Sequence, residues 1–333
     1  MSTFTGRKVQ LGITVQDARG TAESDADYTY PQMTYSLRDV PATTAYREDA
    51  HGTNIKNSGK DTLLIEGDGT IGGNIYAKGI VYFLALVFGQ MPTTTDSVGD
   101  TNAKKHSFTF LDNNEHAAAT VFVDEPNIGQ HRFSELMPDS FTLNWAAGEY
   151  PTIEIPVKAR ESDASTHTLT VIDEPMFLPD VAYLKIAANK SGLTSASALA
   201  DIKSFSLTFT KNLAPQQTMS SGKTYQEIFN GDFEVTGSIT KLYRDTTYKA
   251  KDLDDTINAI EFGFSDSVNK AGTTTPTSLK FVIAEAAFEG HEPTYGLSEI
   301  SEETINFTMV RRPTSTKSEA VTAEVVNKFT YGA

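Results

Sequence analysis

The chain has 333 residues, a formal net charge of −15 and no cysteine. That charge leaves no electrostatic footprint for gripping nucleic acid or an anionic membrane. The missing thiols exclude disulfides, zinc–thiolate sites, iron–sulfur clusters and a cysteine nucleophile.

Residues 1–60 are loosely patterned. The stretches "GTAESDADYTYPQ" (20–32) and "REDAHGTNIKNSGKD" (47–61) are polar and turn-rich. They predict an N-terminal arm with long loops and one strand, within "RKVQLGITVQ". The opening residues lack the apolar core of a signal peptide, so synthesis in the cytoplasm is expected. From residue 61 onward, period-2 alternation dominates. Strands are expected at 61–76, 106–111, 119–124, 140–145, 152–159 and 168–172. Further strands are expected at 182–187, 202–210, 232–243, 259–264, 278–284, 304–310 and 323–329. Helices are expected only at 79–89 and near 248–257. The run "IVYFLALVF" is apolar nearly all round, so as a helix it must be buried on most sides. It is too short to span a bilayer, which takes roughly 20 residues.

The stretch "EGDGTIGGNIY" (66–76) contains Gly67-Asp68-Gly69-Thr70-Ile71-Gly72, a match to G-x-G-x-x-G ahead of a helical run. Strand, glycine loop and helix is the layout of a dinucleotide-binding turn. Against that reading, Leu63, Ile65, Ile71 and Ile75 keep strand phase straight through the glycines. Glycine inside a strand marks a bulge, a bend or a close backbone approach. The segment also recurs: "TIGGNIYAKGIVYFLAL" (70–86) aligns with "EVTGSITKLYRDTTYKA" (234–250). Ile71 matches Val235, Gly73 matches Gly237, Asn74 matches Ser238 and Ile75 matches Ile239. Gly73 keeps its counterpart and Gly67 falls on Gly231, but Gly69 and Gly72 correspond to non-glycine residues, which a phosphate cradle would not tolerate. "DSFTLNW" (139–145) likewise resembles "KSFSLTF" (203–209). A duplicated sheet unit is the preferred reading, with an arm at 1–60, a first domain at 61–172 and a second at 173–333.

Alternation assigns faces. Phe233, Val235, Ile239 and Tyr243 share one side of 232–243; Asp232, Glu234, Thr236, Ser238 and Thr240 share the other. The first copy's polar side carries Glu66, Asp68, Thr70 and Asn74. Within "LDNNEH" (111–116), Asp112, Glu115 and His116 suit a metal, but a polar turn between strands accounts for them more simply. The six histidines are scattered and no G-x-S-x-G is present. Trp145, on an alternating strand, reads as core or subunit interface. No catalytic, cofactor-binding or metal residues are assigned.

The segment 202–245 resembles the tail tube (major tail) proteins of long-tailed bacteriophages, in their larger form with tandem domains. The resemblance rests on an S-F-S-L-T strand ending in an Asn-containing turn (204–213) and on E-V-T-G-S-I (234–239). It extends to "TSLKFVIAEAAFEG" and "ETINFTMVRRP", and more loosely to "GTIGGNIYAKGIVYFLALVFG" in the first half, covering about 60–333. It implies a mainly β fold of tandem tail-tube-like β-sandwich or split-barrel domains, each with a short flanking helix. It implies a non-enzymatic, cofactor-free virion protein whose rings stack into a hollow tube that DNA passes through. With two domains per chain, a homotrimeric ring is expected. The implied partners are other copies of the chain, tail terminator and tail-tip or baseplate proteins, the tape measure protein and then DNA in the lumen, held loosely. If the apolar face is core, Glu66, Asp68 and Glu234 line the channel; otherwise that face is an ordinary solvated exterior. The 1–60 arm is expected to order only against a neighbouring ring. Two alternatives stay open. One is another virion β-sandwich protein from the tail tip, baseplate or capsid decoration. The other is a carbohydrate-binding or adhesive module using Tyr28, Tyr30, Tyr35 and Tyr46.

Overall fold

In a computed structural model the described residues are all but 1–4, 32, 50, 51, 53, 55, 299, 312–318 and 332–333. His51 and Arg312 therefore lie outside them. The first half runs through β1 (Gln10–Val15), β2 (Tyr28–Thr29), β3 (Met33–Tyr35), β4 (Arg38–Arg47), β5 (Gly59–Asn74) and α1 (Gly79–Phe88). It continues with β6 (Thr93–Ser97), β7 (Asp100–Thr109), β8 (Ala119–Glu125), β9 (Gly129–Pro138), β10 (Ser140–Ala146), β11 (Thr152–Ala159) and β12 (Asp163–Ala164). The second half holds β13 (Ala182–Ala187), β14 (Ile202–Thr210), β15 (Ala214–Gln216), β16 (Glu227–Phe229), β17 (Glu234–Leu242) and α2 (Thr247–Leu253). It ends with β18 (Ile257–Lys270), β19 (Pro276–Thr294), β20 (Glu302–Met309) and β21 (Val321–Asn327).

The fold is mainly β and its strands pair antiparallel. One long sheet crosses the whole chain: β3 and β4 lie in succession along β5, followed by β11, β10, β14, β17, β20 and the later part of β19. Behind its first half lies β2–β1–β8–β9–β12. Behind its second half lies β7–β21–β19–β18–β13. β19 serves both layers. Its first part pairs with β18 and β21, and from Ala286 onward it pairs with β20. The layers meet on aromatic side chains. Phe209 of the long sheet lies 5.8 Å from Phe281 behind it and 5.9 Å from Phe88 of α1.

Alternation drives this burial. In β14, Phe205, Leu207 and Phe209 enter the core while Ser204, Ser206 and Thr208 face away. α1 is the exception among strands, with all ten of its residues buried. An all-round apolar helix is stable only inside a core, and here it fills the space between the layers. Glu174 accepts the Lys78 N–H at its start (2.5 Å), and burial raises that carboxyl to about 7. Gly89 ends it in the left-handed region (φ 87), donating to the Ala85 carbonyl.

The stretch expected as an arm is built into this fold. β1 pairs with β8 over six positions, and Leu11 and Ile13 are buried. Tyr28 and Tyr30 pack against Tyr82 and Phe83 of α1. These residues thus pack against their own chain, and of the four tyrosines suggested as a sugar platform only Tyr46 is strongly exposed. The expected strand at 168–172 does not form; Leu169 instead closes on the Gly12 backbone, where a Cβ would stand 2.5 Å from its Cδ2.

The duplicated strand–turn–helix is present as β5–α1 and β17–α2, with Ile71 and Val235 both fully buried. The second similarity resolves differently. Segments 139–145 and 203–209 do not occupy equivalent places; they pair with each other, Phe141 opposite Phe209, Leu143 opposite Leu207 and Trp145 opposite Phe205. Register supplies the true equivalents. Gly73 lies between Met33 and Ile153, as Gly237 lies between Leu207 and Phe307. Ile153 is followed across the sheet by Leu143, and Phe307 by Phe288. The unit β3/β4–β5–β11–β10 is therefore matched by β14–β17–β20–β19, the two joined edge to edge at β10 and β14.

Candidate functional site

The surface that this topology creates is the outer face of the long sheet. Two rows of side chains cross it. One runs Glu154, Thr142, Thr208, Thr236, Thr308; the next runs Asn74, Thr152, Asn144, Ser206, Ser238, Asn306, Glu289. The rows are knit by their own hydroxyls. Thr142 Oγ1 and Thr208 Oγ1 lie 3.1 Å apart across the β10–β14 junction, and Ser206 Oγ donates to Asn144 Oδ1 at 2.8 Å. Thr240 and Thr304 repeat the contact at 3.1 Å. Short hydroxyl and amide side chains keep the wall flat and hydrated. Acids stand along its margins: Glu154, Glu234, Glu289 and Glu292 are exposed. Lys158 and Lys203 are the bases beside them, engaged by Asp68 (3.6 Å) and by Glu302. Arg38, the register partner of Asp68, is a further exposed base. The named acids still outnumber the bases, which disfavours a polyanion at close range.

Glu234 lies on this face opposite Thr210, and Asp68 lies on it with about half its side chain exposed. Glu66 has the same parity but is 7% exposed. The Tyr225 hydroxyl donates to it and Lys158 Nζ stands 3.3 Å away. Tyr225 belongs to the segment linking β14 to β17, which straps back over the first unit. The Ile65 N–H donates to the Lys223 carbonyl at 2.7 Å, and the Asn230 side-chain amide donates to the Asn113 carbonyl at 2.9 Å. Sequence reasoning missed this strap because "TMSSGKTYQ" reads as an ordinary polar loop. Alternation marks a face, but it does not mark what a distant segment lays on that face.

The other sequence motifs do not converge on chemistry. Gly67 and Gly69 are interior to β5 and face close neighbours; a Cβ on Gly69 would stand 2.5 Å from Leu37 Cα. As expected from the strand phase, these glycines allow close approach of chain to chain within β5, and the helix begins only at Gly79. His116 turns inward with Nε2 2.7 Å from the Leu111 carbonyl oxygen, and burial holds its pKa down to about 4. Among the described residues, no group of three or more His, Asp or Glu side chains is arranged to hold a metal. Among them, too, no helix is long and apolar enough to cross a membrane. A cavity of about 820 Å³ lies beside β3, lined by Val9, Leu11, Met33 and Leu37 together with Arg7 and Glu125, among others.

The fold is that of an antiparallel β protein with one continuous polar sheet face running across both halves. A family model described as phage tail tube protein matches residues 6–309, and the chain belongs to that family. It is a structural protein of the phage tail tube. Among solved structures, one described as an Hcp protein is similar at 11% identity over 38% of this chain and 86% of that one. Its TM-score of 0.21 is too low to carry an argument. No curated protein matches the chain.

Proposed function

We propose that three chains close into a ring, that rings stack into the tail tube, and that the polar face of the long sheet lines its lumen. One observation carries this reading: the polar face continues unbroken across the β10–β14 junction, so that one chain presents two successive wall units. Three chains would then supply six. Head-to-tail contacts of this kind generate rings, and closing a sheet removes its exposed edges. Asp68 and Glu234 face the lumen in this arrangement, while Glu66 stays beneath Tyr225. The acidic margins keep DNA moving by repelling its phosphates. The division into units at 61–172 and 173–333 belongs to the same reading. So do a non-enzymatic role, residence in the virion tail, and contacts with tape measure, terminator and tail-tip or baseplate proteins.

The absence of cysteine permits a direct test. Asp68→Cys and Glu234→Cys are labelled in soluble chains and in assembled tubes, with a small maleimide and with a bulky polymer-linked one. Both positions should react with either reagent in the soluble chain and resist only the bulky reagent in tubes. Equal reaction with the bulky reagent in both states would place the face outside the tube.

A further inference from the structure

Among the described residues, neither lateral edge of the long sheet has a second strand partner, although Asp252 of α2 accepts the His291 N–H beside β19 (3.1 Å). β3 and β4 have β5 as their strand partner. β18 leaves β19 at the pair Ile257–Ala287, so β19 from Phe288 onward has only β20. Register states which positions on these edges are equivalent to the joined ones. Met33 pairs with Gly73 as Leu207 pairs with Gly237. Phe288 pairs with Phe307 as Leu143 pairs with Ile153. Leu143 and Leu207 face each other at the junction inside the chain.

We propose that the seam between copies repeats the seam within each copy: β19 of one chain lies along β3 of the next, with Phe288 opposite Met33 and Ala287 opposite Thr34. This rests on the ring reading above and names its contact surface. Two further features fit the same occupant. The cavity of about 820 Å³ beside β3 has a mixed lining, with Val9, Leu11, Met33 and Leu37 beside Arg7, Ser36 and Glu125. At the opposite edge, just past β19, Tyr295, Leu297 and Ile300 stand 67%, 110% and 75% exposed. These exposed apolar groups lie beside a free strand edge, and the cavity of mixed lining lies at the other end of the same sheet. Charge agrees as well. Arg7 and Arg38 are exposed on the β3–β4 side, and Glu289 and Glu292 on the β19 side. Opposite charges at the two edges favour head-to-tail pairing and disfavour pairing of like edges.

The test places cysteines across the seam. Thr34→Cys is combined in turn with Ala287→Cys, Glu289→Cys and Glu292→Cys. Tubes confirmed by electron microscopy are oxidised and run under non-reducing, denaturing conditions. The expected result is a ladder of covalent dimers and trimers, strongest for the 34/287 pair and absent from either single variant. Tubes that give no inter-chain bond with any pair would overturn this seam and leave the ring reading standing. A wild-type chain that never forms rings would overturn both.

Discussion

Gly237 shows how much a single position can say. A Cβ there would stand 2.3 Å from Phe307 Cζ and 2.5 Å from the Ser206 carbonyl oxygen. Aromatic packing crosses the strand at that point, while its counterpart Gly73 lies between Met33 and Ile153 with a φ of 150. The repeat made the shared glycine legible without a structure. His116 was less legible. In the sequence it sits among Asn113, Asn114 and Glu115 and looks like a ligand; in the fold its ring packs 5.5 Å from Phe110. Burial, then the charge of Lys211, hold it down to about 4 from 6.5. The unfolded chain therefore binds a proton that the folded chain refuses. This contribution to stability is fully present above pH 6.5 and is lost as pH falls through about 4. His116→Phe should flatten that part of the stability profile. The Leu111 carbonyl keeps a donor in the Asn113 N–H at 3.0 Å, so the variant should still fold. Denaturant melts at pH 7 and pH 4.5 check this; an unchanged acid dependence would contradict it.

At the scale of elements, strands with one buried face were readable and strands without one were not. β14 and β17 alternate because the core takes every second side chain. β4 is exposed over most of its length, so nothing in "RDVPATTAYR" had to alternate. β9 hides for the opposite reason. Its last six residues are all buried, and Glu135 among them takes a left-handed φ of 49 that breaks the period. Glu135 is the clasp of the strap. It meets Arg160 at 2.6 Å and Arg19 at 3.4 Å, and accepts the Ile228 N–H at 3.0 Å. Removing one partner of a buried ion pair strands the other charges. Glu135→Ala should therefore cost about 3–5 kcal/mol and raise hydrogen exchange across 214–229. A loss below 1 kcal/mol in chemical denaturation, with exchange unchanged, would show that the strap is held by other contacts.

At the scale of the whole molecule, the mainly β character, both helices and the duplicated strand were legible from alternation and composition. The order of strands was not, because alternation identifies faces and not neighbours. The similarity of 139–145 to 203–209 misled for that reason: two strands that each bury aromatic and leucine side chains look alike whether they are equivalent or paired. Register corrected this and exposed two four-strand units joined edge to edge. Residues 1–60 hold the one expected strand, β1, which closes the back layer of the first unit, and three more that were not legible: β2 and β3 are short and β4 is exposed.

The central claim, that each chain supplies two wall units of a three-chain ring, is tested most directly by the mass per ring. Purified chains are assembled, tubes are imaged by negative-stain electron microscopy, and isolated rings are weighed by native mass spectrometry. Hollow tubes built from rings of three chains are the predicted result. Rings of six chains, or a monomer that never polymerises even when seeded by a tail tip, would contradict it.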